Sequence, residues 1–164
     1  MIISDTNIIK VGMADLRATR SPGVIKTSGL GSCIGLSLHD PLKKIAGLAH
    51  LMLPSSEIAR EQKFNVAKYA DTAIPALIQS MCELGANVHH MQAKMAGGAQ
   101  MFAAVSETMR IGPRNAEMCR ELLAAYSIPL VAEDTGGQYG RSVEIDSESG
   151  IMKIRSVQNG VKEL

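Results

Sequence analysis

Cys33 closes the stretch Ser28-Gly29-Leu30-Gly31-Ser32-Cys33, and His50 stands further along in Ala49-His50-Leu51. A thiolate attacks acyl carbons, and a neighbouring imidazole lowers the thiol pKa and later protonates the leaving group. The segment between them contains Asp40-Pro41-Leu42-Lys43, with Asp first and Pro second as type I turns prefer. A symmetric turn centred on Pro41 and Leu42 sets Asp40 opposite Lys43, Leu38 opposite Ile45, and Cys33 opposite His50. Directly opposed residues hold their Cβ atoms about 4.5–5.5 Å apart on one face, so thiol and imidazole can share a proton. Gly29 and Gly31 let the backbone before Cys33 turn tightly and approach a substrate closely. Free N–H groups at such a turn form an oxyanion hole, each donor contributing about 2.7–4 kcal/mol. The third group, which would orient His50, is left open by spacing: Thr27 and Ser28 are nearby hydroxyls, and Asp134 is the next carboxylate to consider.

The same residues have plainer readings. A cysteine at a strand start is usually a core filler, and His50 between Ala49 and Leu51 fits a buried, hydrogen-bonded histidine. Cys82 and Cys119 fall inside helices and read as structural. His39 at a turn edge and the His89-His90 pair are expected to face solvent or to cap a neighbouring group. The methionines fall mostly at core spacing. There is no CxxC and no HxxxH, so a metal site is not expected.

The elements that must position the pair follow from periodicity. Ile8–Met13 and Gly23–Thr27 read as short strands, Cys33–His39 alternates, and Ile45–Leu53 returns. Apolar residues spaced by three and four predict a helix over 64–84, with Pro75 kinking it and Gly85 capping it. His90–Ala96 is a strand leading into Gly97-Gly98. Pro113 opens a second helix to Tyr126. Ile128–Ala132 is a strand, Asp134–Arg141 a Gly-rich loop, and Val143–Arg155 a hairpin turning at residues 147–150. This order implies a single α/β domain over residues 1–164, a sandwich with helices packed on a mixed sheet.

Two Gly-rich segments flank the candidate site. Lys94-Met95-Ala96-Gly97-Gly98-Ala99 lacks the frame of a phosphate loop; Gly97 and Gly98 are candidates for the oxyanion or substrate loop, with Gly31 and Ser32. Asp134–Arg141 reads equally as a plain flexible loop, a wall of the cleft or a docking loop, with Arg141 as polar anchor and a candidate for the same substrate loop. Ile111-Gly112-Pro113-Arg114-Asn115 begins a helix whose electropositive end would face a substrate carbonyl.

Composition removes other classes. A net charge of +1 gives no electrostatic reason to expect nucleic acid or an anionic membrane. With no Trp, three Tyr and two Phe, a base-stacking platform is not expected. No run approaches the length of a membrane helix, and no secretory signal is visible in MIISDTNIIK. Three cysteines without disulfide spacing indicate a reducing, cytoplasmic setting.

Thr27-Ser28-Gly29-Leu30-Gly31-Ser32-Cys33, Ala49-His50-Leu51-Met52-Leu53-Pro54, Lys94–Ala99, Ile111–Asn115 and Asp134–Arg141 together resemble the chemoreceptor glutamine deamidase family, CheD. The likeness runs from about Val11 to Arg155. The resemblance implies an α/β sandwich related to bacterial deamidase toxins, and a cofactor-free amidohydrolase acting on glutamines of methyl-accepting chemotaxis receptors. It implies Cys33 as nucleophile, His50 as general acid/base and Thr27 as the residue orienting His50. Some family members also hydrolyse glutamyl methyl esters, and members bind the CheC phosphatase. A transglutaminase or thiol protease would use the same dyad. A receptor- or CheC-binding regulatory module with secondary catalysis is the alternative from another class.

Overall fold

The computed structural model describes residues 6–59, 64–101 and 110–164. Among the described residues, ten strands form two five-stranded sheets. The first sheet contains β1 (Asn7–Lys10), β3 (Gly23–Leu30), β8 (Arg141–Asp146), β9 (Met152–Ser156) and β10 (Gly160–Glu163), in that order. The second runs β2 (Asp15–Arg20), β5 (Ile45–Leu51), β4 (Ile34–Asp40), β6 (Gln92–Gly97) and β7 (Leu130–Thr135). Each sheet has one parallel pair, β1 with β3 and β6 with β7, and is otherwise antiparallel. Helices α1 (Ala70–Glu83) and α2 (Ile111–Ala125) cover the outer face of the second sheet. The expected α/β sandwich is therefore present, with the first sheet as an added layer on the other side.

Two cores follow from these three layers. Ile34, Leu36, Leu38, Ala49 and Leu51 pack under Ile74, Leu77, Met81, Cys119 and Leu123 of the helices. On the opposite face Cys33, Ala46, Leu48 and Ala96 meet Ile25, Leu30, Val143, Ile145 and Ile154 of the first sheet. Strands β4 and β5 lie between both cores, and every residue in them is buried. In β5 this fits a nearly continuous apolar run, as expected of a strand covered on both faces, whereas β4 keeps its alternation, with Ile34, Leu36 and Leu38 toward the helices.

The β4–β5 register corrects the expectation. Asp40 pairs with Ile45, Leu38 with Gly47 and Gly35 with His50, so Cys33 is not directly opposite His50. Asp40 Oδ1 accepts from the N–H groups of Leu42 (3.0 Å) and Lys43 (3.1 Å), and Lys44 takes a φ of 54°. These features carry the loop through Lys44, so pairing resumes two residues later than a symmetric Pro41–Leu42 turn would give. A shift of two keeps every side chain on its face. Cys33 and His50 therefore still point into the inter-sheet core, as diagonal rather than opposed neighbours.

Other boundaries moved for identifiable reasons. Helix α1 begins at Ala70 rather than 64, because the side chain of Asn65 caps a short 3-10 turn at Val66–Lys68. Tyr69 is then extended and bridges to Leu53. Gly85 ends the helix as expected, at φ 110°. Its N–H reaches Cys82 O and that of Ala86 reaches Met81 O, which is a Schellman motif. Helix α2 starts at Ile111, two residues before Pro113. The 147–150 turn stands as expected, with Asp146 Oδ1 accepting from Glu148 N–H at 2.8 Å.

Strands β2 and β10 were not anticipated. His39 is buried, with its Nε2 2.8 Å from Ser147 O, and does not face solvent. Cys119 is a core residue and burial pushes its thiol up to about 12, whereas Cys82 is exposed. Met13 and Met101 are exposed rather than core residues. No helix among the described residues is long and apolar enough to cross a membrane.

Candidate active site

The chain changes sheets between Leu30, the last residue of β3, and Ile34, the first of β4. Gly31, Ser32 and Cys33 make that crossing. Gly29 enters it at φ 74°, within the irregularity that interrupts β3–β8 pairing between Thr27 and Leu30. Cys33 stands at the corner with its side chain in the inter-sheet core.

His50 is 1 % exposed, on the same inter-sheet face of β5 as Ala46 and Leu48. Thr27 reaches it from the other sheet, placing Oγ1 2.7 Å from His50 Nδ1. Of the three candidates for the orienting group, only Thr27 makes this contact among the described residues. Ser28 is exposed, and Asp134 pairs with Arg141 and Lys162.

Nε2 of His50 is buried and has no hydrogen-bond partner among the described residues. When Nδ1–H donates to Thr27 Oγ1, Nε2 keeps its lone pair and is a base. Burial pushes the His50 imidazole below its ordinary value. It pushes the Cys33 thiol up, partly offset by the residue's own N–H. Low dielectric disfavours both charged forms, so the pair rests as neutral thiol and neutral imidazole. The expectation of a lowered cysteine pKa is corrected on this point.

The turn carrying Cys33 is held through three successive carbonyls. Ala99 N–H donates to Gly31 O at 2.9 Å, Asn115 Nδ2 to Ser32 O at 3.0 Å, and Gly98 N–H to Cys33 O at 2.9 Å. The N–H groups of Ser32 and Cys33 have no main-chain acceptor among the described residues. Gly97 adopts φ 110°, and a Cβ there would collide with Cys33 O. Gly97 and Gly98 thus support the corner through their backbone. Gly112 lies so close to Gly98 and Ala99 that a side chain would strike their carbonyls, which seats the start of α2 against this turn.

Arg141 is a brace. Its side chain is 1 % exposed, and it donates to Asp134 Oδ2 (3.3 Å), Gly136 O (2.9 Å), Gly97 O (3.4 Å) and Tyr139 OH (3.0 Å). Its guanidinium carbon also lies 4.2 Å from the Tyr139 ring centroid. These contacts tie the Gly-rich loop to Gly97 and turn the side chain inward. Asn115, fully buried and bonded to the Cys33 corner, was not a candidate from sequence. Its signal was an amide of low helix propensity near the start of an otherwise ordinary helix.

Known proteins similar to this chain give its family. The family model described as CheD chemotactic sensory transduction matches residues 52–156. A chemoreceptor glutamine deamidase CheD of Halalkalibacterium halodurans is 49% identical over 160 residues, covering 96% of this chain and 99% of that protein. The protein of the same name from Bacillus subtilis strain 168 is 43% identical over 166 residues, covering both chains completely. Among solved structures, a Neisseria meningitidis protein of family model DUF152 superimposes with a TM-score of 0.53 at 10% identity. That match covers 82% of this chain and 65% of the other, and it shows a shared fold alone. With the family model matching most of the chain and these relatives aligning over nearly all of it, the chain belongs to the CheD family.

Proposed function

We propose that this chain is a protein-glutamine deamidase acting on chemoreceptors, with Cys33 as nucleophile, His50 as general acid/base and Thr27 as the residue that holds His50. The observation that carries the reading is the 2.7 Å contact from Thr27 Oγ1 to His50 Nδ1, with Nε2 left open on the face that also holds Cys33. The names of the relatives supply the reaction and the substrate class.

The neutral resting pair defines the order of events. Sγ attacks the glutamine δ-carbon as its proton passes to His50 Nε2, and the two close to hydrogen-bond distance with substrate in place. The N–H groups of Ser32 and Cys33 hold the oxygen that becomes negative. His50 returns the proton to the leaving nitrogen, the C–N bond breaks, and ammonia departs from a glutamyl thioester. Water then attacks the thioester and gives a proton to His50. The C–S bond breaks, the thiol recovers its proton, and glutamate is released. A glutamyl methyl ester presents the same acyl carbon and would be hydrolysed by the same steps.

The test is peptide mass spectrometry of a chemoreceptor cytoplasmic fragment incubated with wild type, Cys33→Ala or His50→Ala. Glutamine-to-glutamate conversion by wild type alone is expected. Conversion at a normal rate by Cys33→Ala would sink the assignment. Adding CheC to the same assay and reading the deamidation rate tests the partner implied by the family resemblance.

A further inference from the structure

Asn115 is fully buried near the start of α2. Its Nδ2 donates to Ser32 O at 3.0 Å and to Met52 O at 2.9 Å. Its Oδ1 is buried and has no partner among the described residues. An asparagine is a poor helix former, and an unpartnered buried acceptor costs stability. A leucine of similar size would avoid both penalties but would leave Ser32 O and Met52 O without this donor, so the return on the amide lies in the two carbonyls it holds.

Within a planar trans peptide the C=O of one residue and the N–H of the next point in opposite directions. Fixing Ser32 O therefore fixes the aim of the Cys33 N–H. The neighbouring carbonyls, Gly31 O and Cys33 O, are held by main-chain N–H groups of Ala99 and Gly98. Ser32 O alone of the three depends on a side chain. The same nitrogen also holds Met52 O, in the segment that follows His50 out of β5. One amide thus spans the nucleophile's peptide and the segment continuing from the base.

We propose that Asn115 is a positioning residue for the oxyanion site. Through Ser32 O it aims the Cys33 N–H at the tetrahedral oxygen, and through Met52 O it fixes that peptide relative to the His50 strand. The inference rests on Cys33 being the nucleophile. Being fully buried, Asn115 acts through these carbonyls and does not touch substrate.

The experiment compares wild type, Asn115→Ala, the near-isosteric Asn115→Leu, and Cys33→Ala. Two quantities are measured: kcat and KM for deamidation of a receptor cytoplasmic fragment, and the pH dependence of iodoacetamide alkylation at Cys33, read by peptide mass spectrometry. Alkylation displaces iodide at a saturated carbon and forms no oxyanion, so it reports the thiol and His50 without the oxyanion donors. For both Asn115 variants the expected result is a kcat lower by about 10²–10³-fold, the scale of a lost oxyanion donor. KM should change little, and the alkylation rate and pH profile at Cys33 should match wild type. The proposal is overturned if kcat stays close to wild type, if alkylation falls in parallel with kcat, or if neither variant folds. Activity in Cys33→Ala would instead remove the underlying nucleophile assignment, and that outcome is distinct from all of these.

Discussion

One nitrogen of the His50 ring is occupied and the other open, and that asymmetry depends on Thr27. Replacing Thr27 by the isosteric valine keeps the packing and removes the contact. A kcat lower by about tenfold is expected, the worth of one hydrogen bond of roughly 1.4 kcal/mol, whereas Thr27→Ser should keep most activity. Equal loss in both variants, measured by ammonia release, would mean that packing and not the hydroxyl matters. The direction of the pKa shifts fixes the pH profile. His50 acts as base only when neutral, and burial lowers its pKa from 6.5, so the acid limb of kcat/KM should have its midpoint below 6.5. Burial raises the Cys33 thiol above its reference of 9.0. A rate that follows thiolate formation with a midpoint between pH 8 and 9 would contradict the upward shift of the thiol. At this scale Cys33, His50 and Thr27 were legible from residue type and family likeness. Asn115 was not, because it is defined by carbonyls far away in sequence, and the inward turn of Arg141 was not, because its partners come together only when the Gly-rich loop folds over it and meets Gly97.

The β4–β5 hairpin shows what a strand pattern can and cannot reveal. Alternation placed Cys33 and His50 on one face, and this survived because the register slipped by an even number of residues. The slip itself came from the Asp40 carboxylate, which folds the loop back through Leu42 and Lys43 and also binds Asn87 N–H at 2.9 Å. Strands β2 and β10 were illegible for another reason. Their sequences, Asp-Leu-Arg-Ala-Thr-Arg and Gly-Val-Lys-Glu, lie at sheet edges and bury little apolar surface. Two glycines give element-scale tests. At Gly97 a methyl group meets Cys33 O and the φ is left-handed. Gly97→Ala should therefore lower stability by more than about 1 kcal/mol and reduce activity further than stability alone explains. At Gly47 an added Cβ lies 2.7 Å from Leu77 Cδ1 and 2.9 Å from Met81 Sδ. Gly47→Val should cost about 1–3 kcal/mol by overpacking α1 against β5, measured by chemical denaturation.

Across the whole molecule, burial of two histidines sets an acid limit. His39 lies beneath Gly150, where a side chain would strike its ring, and His50 lies between the sheets. Burial holds both below 6.5 in the folded state. Well above 6.5 they are neutral folded or unfolded and contribute nothing to pH dependence. Below it the unfolded chain takes up protons that the folded chain resists, so stability falls with pH. Tm should drop between pH 7.5 and 5, and by less in His39→Gln; a flat Tm over that range would count against both burials. The layered architecture was legible in outline, from strands and helices in the right order. The first sheet, as a separate layer, was not, because its pairing joins β3 to β8 across most of the chain.

That long-range pairing bears on when the chain becomes an enzyme during folding. Thr27 must meet His50 across two sheets, and the Cys33 corner is shaped by residues 98, 99 and 115. None of these contacts is local, and loops must close before they form. A chain that has formed its helices and the β4–β5 hairpin already holds thiol and imidazole on one strand pair, yet lacks the groups that tune them. Recovery of deamidation after dilution from denaturant should therefore trail the return of helical signal. The last step of folding and the first turnover would then share a single clock.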